Sequence, residues 1–461
     1  FMKKQILILG DIFLDIFEET KAFKISPERP VPVLKPIGKK YLLGGASNVA
    51  SNIRSIGGKP FLISKLSKDK SSKKIISLLN KKKINHKIFI SKDYFSSVKK
   101  RIVENNHQFL RVDDEKIINL TKSHEFLIIK YIKKNIKMFD SLIISDYSKG
   151  FLTKTLLKKV ITIFYKNKKR IFTDPKNNNI DNYKNSNFIC PNQNEFNEFL
   201  KFEKLPNNRK SILKLIKKSR SEAFIITKGS KGVTVIYKDG KMINISQKII
   251  NVYDVTGAGD TFISYLTYLF SKNIDLINSI KIAIYACSKI VQKKHTSTLE
   301  LNELRLVIDK FSEENNIDLA LKIKLWKLAK LKIGIANGCF DVLHSGHLHL
   351  FKTAKKNCDK LIILINSDKS VFKLKGKGRP KLKFHTRMQF LKMIKSVDLI
   401  EKFNEITPLN RIKEIMPNII FKGSDYKKED VVGYKEIKKY GGKVVIIKNY
   451  KNFSSTKLIE K

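Results

Sequence analysis

"DVTGAGDTF", Asp254–Phe262, sets two glycines and an aspartate at the head of the apolar run "TFISYLTYLF". The pattern predicts a tight turn opening into a helix. Gly257 and Gly259 let the backbone come close to a ligand. Amides at a helix N-terminus bind phosphate and stabilise developing negative charge. Asp260, in the first turn, is placed to accept a proton from an attacking hydroxyl. An anion cradle and a base are the minimum equipment for phosphoryl transfer. An ordinary loop followed by an acidic helix start has the same local pattern, so the surrounding sequence must decide.

Outward from this stretch, short apolar runs alternate with amphipathic helical segments. "QILILGD" (Gln5–Asp11), "SLIISDY" (Ser141–Tyr147), "RIFTDP" (Arg170–Pro175), "NFICPN" (Asn187–Asn192) and "AFIITKG" (Ala223–Gly229) read as buried strands. Such alternation predicts a mostly parallel α/β sheet. Several of these strands end in polar residues, where open α/β sheets bind ligands. Asp11 and Asp15 follow the first strand. Paired glycines, Gly44 and Gly45, precede a small-residue helix carrying Asn48. Asn192 and Glu195 follow another strand, and "TKGSKG" follows Ala223–Thr227. Asp and Asn at strand ends suit sugar hydroxyls, and Asn192 and Glu195 suit water ligands of Mg²⁺ near nucleotide phosphates. "VPVLKPI" (Val31–Ile37) and "VKKRIVENNHQFLRVDD" (Val98–Asp114) break the alternation. They read as a small separate sheet, a lid, with a hairpin turn at Asn105-Asn106.

Residues 299–332 are helical in pattern, without glycine or proline, and the domain boundary is expected within about residues 305–330. The alternation restarts at "KIGIAN" (Lys332–Asn337) and continues through Lys360–Asp368, Asn418–Asp425 and Lys443–Asn449. The second α/β region opens with "NGCFDVLHSGHLHLF", Asn337–Phe351. His344 and His347 could join Cys339, Asp341 or His349 around a metal, or could be satisfied residues of a polar helix start. The HxxH spacing matches no standard zinc pattern, and no second ligand cluster accompanies it. A phosphate site is the better reading. Gly346 admits phosphate between two imidazoles whose N–H groups can stabilise a pentacoordinate phosphorus. No metal site is expected from this stretch.

Lysine and arginine number 93 against 42 aspartates and glutamates, a net charge of +51. The basic residues are scattered through the whole chain rather than gathered into an arm. We therefore expect no nucleic-acid role, although the charge should draw in phosphorylated substrates. Four dispersed cysteines without a CxxC pair fit a reducing compartment. No apolar run approaches the roughly 18 residues of a membrane span, and "FMKKQILILGD" reads as a first strand rather than a signal peptide.

The order GG…N, NxxE, TKG, DVTGAGD resembles the ribokinase-like sugar kinases over roughly residues 3–305. "ISPERPVPVL", "LGGASNVASNI", "SDYSKG", "DPK" and "VYDVTGAGDT" are similar to the bacterial heptose 7-phosphate kinases. The resemblance implies Asp260 as catalytic base and Gly257, Ala258 and Gly259 as anion hole. It implies an ATP–Mg²⁺ site along Asn192, Gln193, Asn194, Glu195 and Lys228. The sugar would be held by Asp11, Asp15, Gly44, Gly45 and Asn48. The chain departs from the pattern at Ile16–Phe23, where a basic and aromatic stretch is usual, and at Val291–Thr298, where glycines are usual.

"GCFDVLHSGH" resembles the signature of the cytidylyltransferase-like nucleotidyltransferases. "NFSSTKLIEK" resembles their Ser/Thr-rich helix start, with Ser454, Ser455 and Thr456 facing phosphates. "LKGKGRP", "TRMQFL" and "KGSDY" resemble the heptose 1-phosphate adenylyltransferases. The resemblance implies catalytic His344 and His347, nucleotide contacts at Gly338 and Phe340, and charge neutralisation by Lys375 and Arg387. Together the halves resemble a bifunctional kinase–adenylyltransferase family that supplies ADP-heptose for the lipopolysaccharide inner core. The implied layout is a ribokinase-like domain (1–310) with a β lid, a helical linker (311–329) and a Rossmann-like nucleotidyltransferase domain (330–461). Sugar phosphates and ATP are the expected partners, a homodimer the expected assembly and the cytoplasm the expected site. The same scaffolds acting on another sugar or polyol with CTP, and a basic binding protein with relic sites, are the alternatives.

Overall fold

The apolar runs do become parallel strands. The computed structural model describes residues 4–105, 107–246, 255–293 and 297–448. The chain divides into two compact units, Phe1–Phe311 and Ser312–Lys461.

In the first unit the strands are β1 (Gln5–Gly10), β2 (Ile12–Ile25), β3 (Pro32–Gly45), β4 (Pro60–Ser67), β5 (Asn85–Ser91), β6 (Val98–Glu104), β7 (His107–Asp114), β8 (Phe139–Ser145), β9 (Arg170–Asp174), β10 (Phe188–Ile189), β11 (Ala223–Thr227), β12 (Val233–Tyr237) and β13 (Met242–Ile245). Among the described residues nine of these form one sheet, in the order β13-β12-β11-β10-β9-β8-β1-β4-β5. The pairing is parallel from β5 to β11, and β12 and β13 add an antiparallel hairpin. One face of the sheet buries Leu7, Leu9, Leu142, Ile144 and Ile171 against the Lys122–Asn135 and Lys154–Lys166 helices, with Ile128, Ile132, Leu157 and Phe164 inside. Each such fully buried side chain contributes roughly 1.5–3 kcal/mol. The other face carries the Ala46–Ser55 and Ala258–Ser271 helices.

The lid is a four-stranded sheet, order β3-β2-β6-β7. Its β6–β7 hairpin was legible, and Asn105 at its turn has the positive φ of 43° that asparagine tolerates. Strand β2 was not legible. The sequence puts Asp15 just after the first strand, and the structure places it within a strand of its own, β2, together with the divergent stretch Ile16–Phe23. Polar residues at four successive positions, Glu18, Glu19, Thr20 and Lys21, hide the two-residue period on which strand recognition depends.

The segment expected as a linker is helical. The Leu301–Glu314 helix spans the boundary after Phe311, and Leu319–Leu328 buries Ile323, Leu325 and Trp326 within the second unit. The second unit is an all-parallel sheet of β14 (Ile333–Gly338), β15 (Lys360–Asn366), β16 (Leu399–Phe403), β17 (Ile419–Gly423) and β18 (Lys443–Ile447). Its order is β16-β15-β14-β17-β18. The chain order reverses on either side of β14, which makes the ends of β14 and β17 the ligand crevice of a doubly wound sheet.

Candidate active sites

In the first unit the carboxyl ends of β1, β8 and β9 deliver Asp11, Asp146 and Asp174 to one edge, and Asp260 meets them from the opposite helix. Gly257 caps that helix at φ 79°, a conformation that favours glycine, and, lacking a side chain, leaves the amides of the first turn uncapped by the cap residue. A Cβ at Gly259 would meet nothing within 4 Å among the described residues. Asp260 itself is only 5% exposed. Its Oδ2 accepts a bond from Asn48 Nδ2 at 2.8 Å, and its Oδ1 accepts the Tyr147 hydroxyl at 2.8 Å. Burial nevertheless outweighs these two donors and raises the carboxyl to about 6. Each carboxylate oxygen accepts two bonds, so a lone pair remains for a substrate hydroxyl. Burial, then the charge of Asp260, pushes the Tyr147 phenol well above its ordinary value, so it stays a donor.

The structure brings Asn48 to Asp260 and shows which protein contacts the other expected sugar ligands make. The Asp11 carboxylate accepts the backbone amides of Tyr147, Lys149 and Phe151 at 3.2–3.3 Å. It fixes the loop that aims Tyr147. Asp15 pairs with Arg101 of the lid at 2.5 Å, both buried. Gly44 leaves room for Phe13, whose ring would lie 2.1 Å from an added Cβ. Gly45, at φ 61°, begins the Ala46–Ser55 helix, and Ala46 N–H donates to Asp11 C=O at 2.9 Å. Asn192 and Glu195 form a capping box for the Gln193–Phe202 helix, and Lys176 lies 3.2 Å from Glu195. Gln193 bonds Asn197 on the same helix, Asn194 is exposed, and Lys228 is half-buried beyond β11. Sequence reasoning missed Tyr147, Arg101, Asp146 and Asp174. Tyr147 and Asp146 sit in the "SDYSKG" stretch, where a strand-end carboxylate was the available signal. Burial raises Asp146 to about 6, and the Tyr183 hydroxyl donates to it at 2.6 Å. Burial, then Glu195, pushes Asp174 well above the usual carboxylate range.

In the second unit the Ser345–Lys356 helix starts at His344, which has extended backbone and no side-chain cap bond. The His344 and His347 rings face each other with centroids 3.9 Å apart. Phe340 packs edge-on against His347 at 5.2 Å, its own φ of 47° turning the chain after β14. Burial, then His344, lowers His347 to about 3, so it is a neutral imidazole. Three side-chain atoms here are buried without a hydrogen-bond partner among the described residues: Asn337 Oδ1, His344 Nδ1 and His347 Nδ1. Orphaned polar groups clustered at a helix start mark a place for a polar ligand. Lys422, at the end of β17, donates to Asn337 C=O at 3.0 Å and is lowered by burial to about 8. Gly338 sits against Phe340, which would lie 3.1 Å from an added Cβ.

Arg387, expected to neutralise charge, directs its donors at the protein itself. It is fully buried. Its Nε donates to Leu382 C=O, one terminal nitrogen donates to Cys339 and Asn366 C=O, and the other to Asp368 at 2.8 Å. It ties the loop after β14 to the end of β15. Asp341, which sequence reasoning considered only as a metal ligand, holds Arg379 at 2.5 Å and the amides of Lys381 and Leu382. Lys375 is exposed, and its charge reaches Cys339. Ser454, Ser455 and Thr456 lie outside the described residues. No group of three metal-ligating side chains occurs among the described residues.

Residues 3–303 match the pfkB family of carbohydrate kinases, and residues 335–461 match the cytidylyltransferase-like family. The two units are thus a ribokinase-like kinase with a β lid followed by a nucleotidyltransferase. A bifunctional protein HldE from Coxiella burnetii (strain Dugway) is 33% identical over 468 residues, covering 100% of this chain and 97% of that one. Another from Nitrobacter winogradskyi is 32% identical over 474 residues, with 100% and 97% covered. The chain belongs to this family of bifunctional HldE proteins. In fold it is similar to Escherichia coli phosphofructokinase-2 (TM-score 0.55, 16% identity, 67% of this chain and 100% of that one). It is also similar to Arabidopsis thaliana ribokinase (TM-score 0.51, 14% identity, 66% and 99%).

Proposed function

We propose that the first unit phosphorylates heptose 7-phosphate at C1 with ATP, giving the 1,7-bisphosphate. The second unit transfers an adenylyl group from ATP to heptose 1-phosphate, giving ADP-heptose and pyrophosphate. The observation that carries this reading is full-length similarity to the bifunctional HldE proteins together with an intact buried base and a histidine pair whose Nδ1 atoms have no partner among the described residues.

In the kinase, Asp260 takes the proton of the C1 hydroxyl as its oxygen attacks the γ-phosphorus, and ADP leaves. The helix start at Gly257, Ala258 and Gly259 faces the charge that develops. Asn48 and Tyr147 keep the carboxylate in place. Mg²⁺ needs only one or two carboxylates beside ATP phosphates, and Asp174 and Glu195, close enough for the charge of one to raise the other, fit that need. Bound there, the ion would supply charge neutralisation on the phosphates. In the second unit, a sugar 1-phosphate oxygen attacks the α-phosphorus of ATP, and His344 and His347 donate N–H bonds to the extra negative charge.

The test is product analysis. The purified chain, incubated with heptose 7-phosphate and Mg-ATP, should accumulate the bisphosphate. ADP-heptose should appear only after a phosphatase is added, because a second phosphate carries about −1.5 to −2 charge and needs its own partners in the adenylyl site. Rapid formation of a 7-phosphorylated nucleotide sugar would refute this order, and turnover of another sugar phosphate, or use of CTP, would replace the substrates.

We further expect a cytoplasmic homodimer. No described helix is long and apolar enough to cross a membrane. The lid leaves Phe23, Ile25 and Ile37 64–69% exposed, apolar surface that a second copy could cover. Sedimentation equilibrium should give twice the chain mass of 53.2 kDa, and a monomer mass at micromolar concentration would exclude the dimer.

A further inference from the structure

One buried phenol in the first unit touches three segments that leave the carboxyl end of the sheet. Tyr183 closes the Ile180–Tyr183 turn and is fully buried. Its hydroxyl donates to Asp146 Oδ2, after β8, at 2.6 Å. The same oxygen accepts two backbone amides of the loop after β9, Lys176 at 3.3 Å and Asn177 at 3.0 Å. Its ring meets Phe199 edge-on, with centroids 6.5 Å apart, on the Gln193–Phe202 helix that follows β10. A phenol hydroxyl has one hydrogen to give and lone pairs for two bonds, so these contacts use its whole capacity. Nothing of it is left for a substrate. Burial, then the charge of Asp146, pushes the phenol well above its ordinary value, and it stays a donor.

Each of the three segments carries a group of the kinase site. The other oxygen of Asp146 accepts the Ser148 amide at 2.7 Å, and the Asp146 amide donates to Asp174 C=O at 3.0 Å. Between Asp146 and Ser148 stands Tyr147, which donates to Asp260. The loop after β9 begins with Asp174 and continues to Lys176, which lies 3.2 Å from Glu195. Phe199 lies one turn beyond Glu195 on its helix. Lys176, Asn177 and Asn178 are exposed, so packing does little to fix their loop. Water could satisfy the two amides that Tyr183 accepts, but water would not hold them at a set distance from Asp146.

We propose that Tyr183 is a positioning residue of the kinase. Through its hydroxyl it registers the loop bearing Asp174 and Lys176 against the loop that aims Tyr147 at the base. The proposal rests on the reading of Asp174 and Glu195 as the Mg-ATP side of the site. Loss of the hydroxyl releases the Lys176 and Asn177 amides, while Asp146 keeps its bond to Ser148. The effect therefore falls on the nucleotide side, and the surroundings of Asp260 keep their frame.

The test is Tyr183→Phe, which removes the hydroxyl and keeps the ring. Hydrogen–deuterium exchange of the full chain, without nucleotide or metal, reads the tie itself. The amides of Lys176 and Asn177 should exchange roughly 5- to 50-fold faster, and those of β8 and β9 should be unchanged. In turnover with heptose 7-phosphate, KM for Mg-ATP should rise by roughly 5- to 50-fold, while KM for the sugar stays within about twofold. The Mg²⁺ concentration for half-maximal rate should rise with KM for Mg-ATP. Unchanged exchange at Lys176 and Asn177 overturns the assignment, as does an unchanged KM for Mg-ATP. Faster exchange throughout the first unit, or an equal rise in both KM values, would make Tyr183 a residue of general stability and also overturn it. A wild-type chain that turns over another sugar phosphate instead would overturn the substrate reading alone, since the exchange is measured without ligand and the two KM values are then compared on that sugar.

Discussion

Asp260→Asn is expected to lower kinase turnover by roughly 10²–10⁴-fold, the contribution of a general base, and to leave adenylyl transfer within about twofold of wild type. Asparagine preserves the volume of the side chain and can still accept one of the two bonds from Asn48 and Tyr147, so the pocket should keep its shape. What is lost is the lone pair that takes the proton. The same carboxyl sets the pH profile. Burial raises it to about 6, and a base works only when deprotonated. Kinase kcat/KM should therefore climb as pH rises through about 6 and level off above it. The group contributes no rise on the alkaline side. Full kinase activity in Asp260→Asn would transfer the role to another group, and a rate that is flat from about pH 5 to about pH 8 would remove Asp260 as the titrating base.

His347→Ala should give the converse result, with adenylyl transfer reduced by roughly 10²–10³-fold and the kinase retained. The imidazole is held by Phe340 on one side and His344 on the other, and its Nδ1 has no partner within the described protein. Being neutral, it offers one N–H without an attached charge, which suits a donor aimed at a phosphate that gains negative charge during attack. Metal analysis separates the competing reading. Stoichiometric zinc that survives dialysis of the wild type and disappears in the variant would make His347 a ligand rather than a donor to phosphate. Paired with Asp260→Asn, this variant also asks whether the two chemistries are independent. A variant at either position that abolishes both activities would contradict two separate sites.

Much of the architecture was legible because it is written in local pattern. Apolar runs ending in Asp, Asn or Gly predicted β1, β8, β9, β10 and β11, and the restart at Lys332 predicted β14. The glycine turns before Asp260 and around His344 were equally local, since a positive φ or a close backbone approach restricts the residue type at the position itself. Strand β16 went unread, with charges at Glu401 and Lys402 interrupting a short apolar run, and β2 went unread for the same reason.

Partnerships were not legible. The surroundings of Asp260 come from Asn48 and Tyr147, 212 and 113 residues away, joined to it only because β1 and β8 are neighbours in the sheet and two helices pack on the same face. Arg387 illustrates the converse. A motif makes it look like a phosphate cation, yet its donors turn inward to backbone carbonyls and Asp368. Asp11, expected as a sugar ligand, also holds the loop that carries Tyr147, a task nothing in its local sequence announced. The sequence by itself determined which residue types stand at the ends of strands and at the starts of helices, because turn geometry and hydrophobic period are properties of adjacent residues. The tertiary structure alone decided which of those polar groups remain open to a ligand, because hydrogen-bond capacity is finite and each donor or acceptor taken up by a distant neighbour is withdrawn from the site.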